Sequence, residues 1–184
     1  MIDASKVSAI VVTKGGTDLA SVLRPLCDFY EIIIWDNSRE RDQKVFGRFA
    51  ALIRASNEVI YVQDDDCLVP ASDLLSHYED GKLICNMPEA RRKDYVGTGI
   101  CLIGFGALFH RSLVNFSPYL SKFPQDDLFL RECDRVFTYL NRDRTQLVDV
   151  GVTRLDRAYS HDRMYLEQRH RQDLEEIQRR LASL

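Results

Sequence analysis

An α/β fold built on a mostly parallel sheet is what this sequence predicts, on three observations. β-rich apolar runs recur at "KVSAIVVT" (6–13), "EIIIW" (31–35) and "EVIYV" (58–62), with helical patterns between them. Each run ends abruptly in a polar cluster: "KGGTD", "DNSRE" and "DDD". Strands that alternate with helices pair in parallel through right-handed crossovers. Ligands of such sheets sit at the carboxyl ends of the strands. Residues 13–18, 36–38 and 64–66 should therefore line one edge, unless they are three unrelated polar loops.

The elements follow in order. After the first strand, Leu19, Val22, Leu23, Leu26 and Phe29 recur at helical spacing, with Pro25 placed to kink or divide the helix. Residues 46–55 read as a second helix before the strand at 58–62. The middle is less regular: "KLICNMP" reads as a strand, "ARRKDYVGTG" as a basic loop, and "GALFHRSLV" as a strand leading into a short helix. Phe129, Cys133, Val136, Phe137 and Leu140 mark a helix that starts just after "FPQDD". "QLVDVGV" (146–152) reads as a last short strand. From Ser160 the tail is charged and helical in pattern, with Leu174, Ile177 and Leu181 on one face. No repeat or linker divides the chain. It reads as one domain with a nucleotide-binding half (1–66), an acceptor-side half (67–158) and a helical tail or lid (159–184).

Composition narrows the classes. The chain has 184 residues, 45% hydrophobic and 29% charged, with a net charge of −3. One domain of that length buries about 70% of its unfolded surface. The charge balance argues against a polyanion binder. No apolar run reaches the roughly 18 residues of a membrane span, and the N-terminus does not read as a signal peptide. The five scattered cysteines form no C-x-x-C pair and read as reduced packing thiols. A cytoplasmic protein is expected.

The triplet Asp64, Asp65 and Asp66 carries the most chemistry. Adjacent carboxylates repel, more so as water is excluded. A solvated turn, a helix-cap cluster or a divalent-cation site would each account for them. One side-chain acceptor suffices to cap a helix, so three acids exceed that need. Hard oxygen donors suit Mg²⁺ or Mn²⁺, which keep open positions for phosphate oxygens.

"YVQDDDCLVPASDLL" resembles the D-x-D region of glycosyltransferases with the GT-A fold, and within them the catalytic domain of the exostosin-like family. Further segments are similar in the same order: "VVTKGGTDLASVLRPL", "EIIIWDNS", "GFGALFHRSLV", "QDDLFLRECDRVF" and "YSHDRMYLEQRHR". The resemblance implies a GT-A domain that transfers sugar from a nucleoside diphosphate sugar, UDP-linked by family habit, with Mn²⁺ or Mg²⁺. It implies that Thr13 and Asp36 hold the base and ribose, that Arg48 lies against the nucleotide, and that Asp64 faces the ribose. Asp65 would assist, and Asp66 and His161 would ligate the metal. Arg163 and Arg169 would close over the diphosphate.

Asp126 and Asp127 open the long helix, where acids cap free N–H groups and favour the macrodipole. The resemblance implies that Asp127 orients the acceptor hydroxyl, or is the general base if the reaction inverts. The chain departs from the exostosin-like pattern in its short loops between the triplet and "GFGALF" and in lacking paired cysteines. A cytoplasmic bacterial or viral enzyme is the expectation, with a saccharide, lipid-linked glycan, protein or hydroxylated DNA base as acceptor. Nucleotidyl transfer and a non-catalytic nucleotide-sugar-binding domain are the competing readings.

Overall fold

A computed structural model of the chain describes residues 1–92, 100–155 and 167–184, with side chains of the last stretch described from 171. The apolar runs at the N-terminal end form three parallel neighbours: β1 (Val7–Thr13), β2 (Glu31–Asp36) and β3 (Val59–Asp64). They are joined by α1 (Leu19–Leu23) and α2 (Gly47–Ala50). The chain continues through β4 (Cys67–Leu68), α3 (Ala71–Ser76), β5 (Leu83–Asn86), α4 (Glu89–Arg92), β6 (Ala107–His110) and α5 (Ser117–Leu120). It closes with α6 (Asp127–Leu140), β7 (Thr145–Val148), β8 (Thr153–Arg154) and α7 (Glu167–Ala182).

Six strands form one sheet in the order β2-β1-β3-β6-β5-β7, and β4 pairs with β8 in a separate ribbon. In the large sheet β6 runs against both neighbours, whereas the other pairs are parallel. Side chains of a strand alternate between faces, and β1 divides accordingly. Ile10 joins a core of Phe49, Phe109, Phe116, Phe129 and Phe137 beneath α6. Val7, Ala9 and Val11 join Val22, Leu26, Tyr61 and Leu74 on the α1 and α3 side. Helices thus cover both faces, as a mostly parallel sheet requires.

Several local readings need correction. The helix expected over 46–55 is a composite: a 3₁₀ turn (Lys44–Phe46), α2, and a second 3₁₀ turn (Ala51–Arg54). A Cβ on Gly47 would overlap the Trp35 ring, so close packing on β2 sets the path of this segment. The strand expected at 146–152 stops at Val148, and β8 follows it to pair with β4. Pro25 does divide the first helix, which passes into a 3₁₀ turn at Arg24–Leu26. Helix α7 packs on α6 through buried Ile177 and Leu181. All five cysteines are free, and the buried Cys85 and Cys101 sulfurs lie 3.1 Å apart. Among the described residues, no helix is long and apolar enough to cross a membrane.

Candidate active site

The register brings the three polar clusters to one edge. Thr13 is the partner of Asp36 across β1 and β2, and Val12 is the partner of Asp64 across β1 and β3. Beside this edge an open groove of about 460 Å³ is lined by Leu19, Ile34, Asp36, Arg39 and Glu40. Asp36 accepts hydrogen bonds from the Ser38 hydroxyl and Ser38 N–H. The Ser38 hydroxyl contributes most to holding its carboxyl below the ordinary value, with help from the backbone bond and Arg39.

The aspartate triplet is dispersed by the turn after β3, and each carboxylate meets a different partner. Asp64 accepts from the Arg48 guanidinium at 2.6 Å, with about a third of its side chain exposed. Its N–H donates to the Gly104 carbonyl at 2.8 Å. A Cβ on Gly104 would overlap the Asp64 carboxylate, so glycine makes room for that acid. Asp65 is buried and accepts from the hydroxyls of Thr13 (2.6 Å) and Thr17 (3.2 Å). Asp66 is buried and accepts from the Arg154 guanidinium at 3.2 Å. Leu155 N–H donates to the Asp66 carbonyl at 2.7 Å, continuing the β4–β8 pairing.

The Thr13 and Arg48 side chains are buried beneath the surface of this edge rather than presented on it. The Thr13 hydroxyl donates to Asp65 and accepts from Gly15 N–H, which shapes the loop after β1. Arg48 is 3% exposed and lies between Asp64 and Asp134, 3.0 Å from the latter. Burial opposes its charge, but Asp134 and Asp64 together outweigh that and hold its pKa above the ordinary value. Burial pushes the Asp134 carboxyl up to about 7, against the pull of Arg48. Sequence reasoning missed Asp134. Its signal was the seven-residue spacing from Asp127, which puts both acids on one face of α6, about 10 Å apart along the axis.

Sequence reasoning also missed Asn86. It is fully buried, and its amide donates to the carbonyls of Phe105 (2.8 Å) and Gly151 (2.9 Å). Its carbonyl accepts from Val150 N–H at 3.1 Å. The end of β5 thereby ties down the segment that leads into β8 and Arg154.

The acidic pair sits at the start of α6. Asp126 is the N-cap and accepts from Phe129 N–H at 2.9 Å, while its other oxygen pairs with Arg180 of α7 at 2.9 Å. Asp127 is more than half exposed and pairs with Arg131, whose guanidinium is also held by Asp173 of α7. His161 and Arg163 lie outside the described residues. Arg169 falls within α7, and its side chain also lies outside them.

Carboxylate oxygens at a strand end suit a hard divalent cation, and Asp66 already faces a cationic group. Among the described residues no three acids, histidines or cysteines gather into a ready-made metal cluster. Mg²⁺ sites that serve phosphates use one or two carboxylates and leave the other positions to phosphate and water. The described residues fit a site of that kind.

No protein-family model matches the chain, and no curated protein matches its sequence. Solved structures do match. Glucosyl-3-phosphoglycerate synthase from Mycobacterium tuberculosis, in complex with Mn²⁺, UDP-glucose and glycerol 3-phosphate, aligns with a TM-score of 0.53 at 14% identity. The alignment covers 97% of this chain and 81% of that one. The same enzyme in complex with Mg²⁺ and UDP gives a TM-score of 0.53 at 15% identity, over 97% and 80% of the two chains. At such identity the likeness establishes the fold alone: a single α/β domain of GT-A type, with a mostly parallel sheet flanked by helices.

Proposed function

We propose that the chain is a metal-dependent glycosyltransferase that moves a sugar from a UDP-sugar to a hydroxyl acceptor. The observation that carries this reading is the convergence of Thr13, Asp36 and residues 64–66 on one edge of a GT-A-type sheet. The structural neighbours support the donor class, since they hold UDP-glucose or UDP with Mn²⁺ or Mg²⁺. The ordered motif resemblance supports an exostosin-like member of the class, with a hexosyl or N-acetylhexosaminyl donor.

The roles follow from the partners each side chain has. Asp36 and the apolar floor of Leu19 and Ile34 border the groove beside it, where a base and ribose would be oriented. Asp64, fixed by Arg48 and given room by Gly104, accepts from ribose hydroxyls. Asp65 acts at one remove, setting the 13–17 loop through Thr13 and Thr17. Asp66 and His161 would hold the divalent cation, which supplies Lewis-acid stabilisation of the departing diphosphate. Arg163 and Arg169 offer the charge-assisted hydrogen bonds that guanidinium makes to phosphate. Asp127 is the exposed acid of its pair, suited to orient the acceptor hydroxyl or to take its proton in an inverting reaction.

A thermal-shift panel of nucleoside diphosphates and nucleotide sugars, run with Mn²⁺ and with chelator, tests the proposal. UDP or a UDP-sugar with Mn²⁺ should stabilise the protein most, by mass action on the folded state. Equal, metal-independent responses to every nucleotide would sink it.

A further inference from the structure

Arg154 has no place in the motif resemblance, yet it lies against the carboxylate assigned to the metal. Its guanidinium is 3.2 Å from the Asp66 carboxylate, which is only 7% exposed, whereas the Arg154 side chain is 62% exposed. The backbone beneath it is fixed. Arg154 pairs with Cys67 across the β4–β8 ribbon, Leu155 N–H is bonded to the Asp66 carbonyl, and Asn86 holds Val150 and Gly151 upstream. The side chain alone is therefore free to change partner without unfolding the strand. Phe105 lies under the guanidinium, its ring centre 5.9 Å away, and offers a cation–π surface alongside Asp66.

We propose that Arg154 is a built-in counter-cation that leaves Asp66 when a divalent cation arrives, and then pairs with the diphosphate bound to that cation. The proposal rests on the glycosyltransferase reading. Three acids in succession accumulate charge that must be offset in the free protein as well as in the loaded one. A guanidinium on the solvent side of Asp66 does this at a position where a cation would also bind. An ion pair with one partner mostly in water is weak, so a divalent cation can displace it. The displaced group then stands on the rim of the same site, where diphosphate oxygens present the anionic acceptors that guanidinium binds in fork geometry. Arg154 thus opposes metal binding alone and favours metal binding with nucleotide, coupling the two ligands.

The coupling predicts opposite changes in two affinities, which a structural role for Arg154 would not produce. Mn²⁺ binding is read from the loss of free-ion electron paramagnetic resonance signal, and UDP binding at saturating Mn²⁺ from calorimetry. Arg154→Gln should bind Mn²⁺ alone roughly two- to fivefold more tightly, the scale of one exposed ion pair removed. The same variant should bind UDP with Mn²⁺ about tenfold more weakly. Arg154→Lys, which keeps the charge and loses the fork, should fall between wild type and Arg154→Gln in both. Two affinities that are unchanged, or that move together, would overturn the proposal while leaving the glycosyltransferase reading in place. Wild-type protein that binds neither Mn²⁺ nor Mn²⁺ with UDP would overturn both.

Discussion

Replacing Arg48 with methionine removes the guanidinium between Asp64 and Asp134 at little cost in volume, and the outcome should depend on pH. The Asp134 carboxyl, pushed up from 3.8 to about 7 by burial, binds a proton more readily in the folded state than in the unfolded chain. Its contribution to stability is therefore full below about pH 4 and is lost as pH rises through 7. Without Arg48 the carboxyl titrates higher still, so that loss continues above 7 in the variant while it levels off in the wild type. Below pH 7 Asp134 is protonated in both proteins. The penalty there is mainly the Arg48–Asp64 pair, discounted for the exposure of Asp64, at about 1–2 kcal/mol. Above pH 7 it should grow by about 1.4 kcal/mol per pH unit. By about pH 8.5 it reaches the roughly 3–5 kcal/mol usual when one partner of a buried pair is removed. Urea unfolding at about pH 6 and about pH 8.5 measures the difference. Trp35, the single tryptophan, packs against Gly47 next to the mutated site and reports on it. Adding Asp134→Asn to the variant should recover much of the high-pH penalty. A penalty equal at the two pH values would refute the titration of Asp134 against Arg48.

Other perturbations follow from the same contacts. Gly104→Ala drives a methyl group into the Asp64 carboxylate. It should cost roughly 1–3 kcal/mol in thermal unfolding and weaken UDP binding with Mn²⁺ by about tenfold in calorimetry. Asn86→Ala strips side-chain hydrogen bonds from Phe105, Gly151 and Val150, and should lower urea stability by about 2–4 kcal/mol. Asp127→Asn should keep the fold and lower sugar transfer by roughly a hundredfold, measured as nucleoside diphosphate release with acceptor present. Asp126→Asn keeps a good helix cap and loses the Arg180 pair, so it should shift stability by about 1 kcal/mol and leave transfer largely intact.

Much of the frame was legible in the residues. Strand runs at 6–13, 31–35 and 58–62 separated by helical patterns dictate parallel β1, β2 and β3, because periodicity and crossover handedness are local and chiral constraints. Those constraints alone put Thr13, Asp36 and Asp64 on one edge. The cap at Asp126 was equally legible, since capping depends on residues within one turn. The partners of the acids were not. Asp64 pairs with Arg48 over sixteen residues, Asp65 with Thr13 over fifty-two, and Asp66 with Arg154 over eighty-eight. Residue types limit which pairings are allowed, but chain path decides which occur. Asp134 and Asn86 show the same limit, one a carboxyl raised by burial and the other an amide binding two distant loops. Sequence by itself determined the three parallel strands β1, β2 and β3, the edge where their polar ends meet and the acidic triplet there. Tertiary structure alone decided how that charge is shared among Arg48, two threonines and Arg154, because desolvation and pairing exist only once distant segments are packed together.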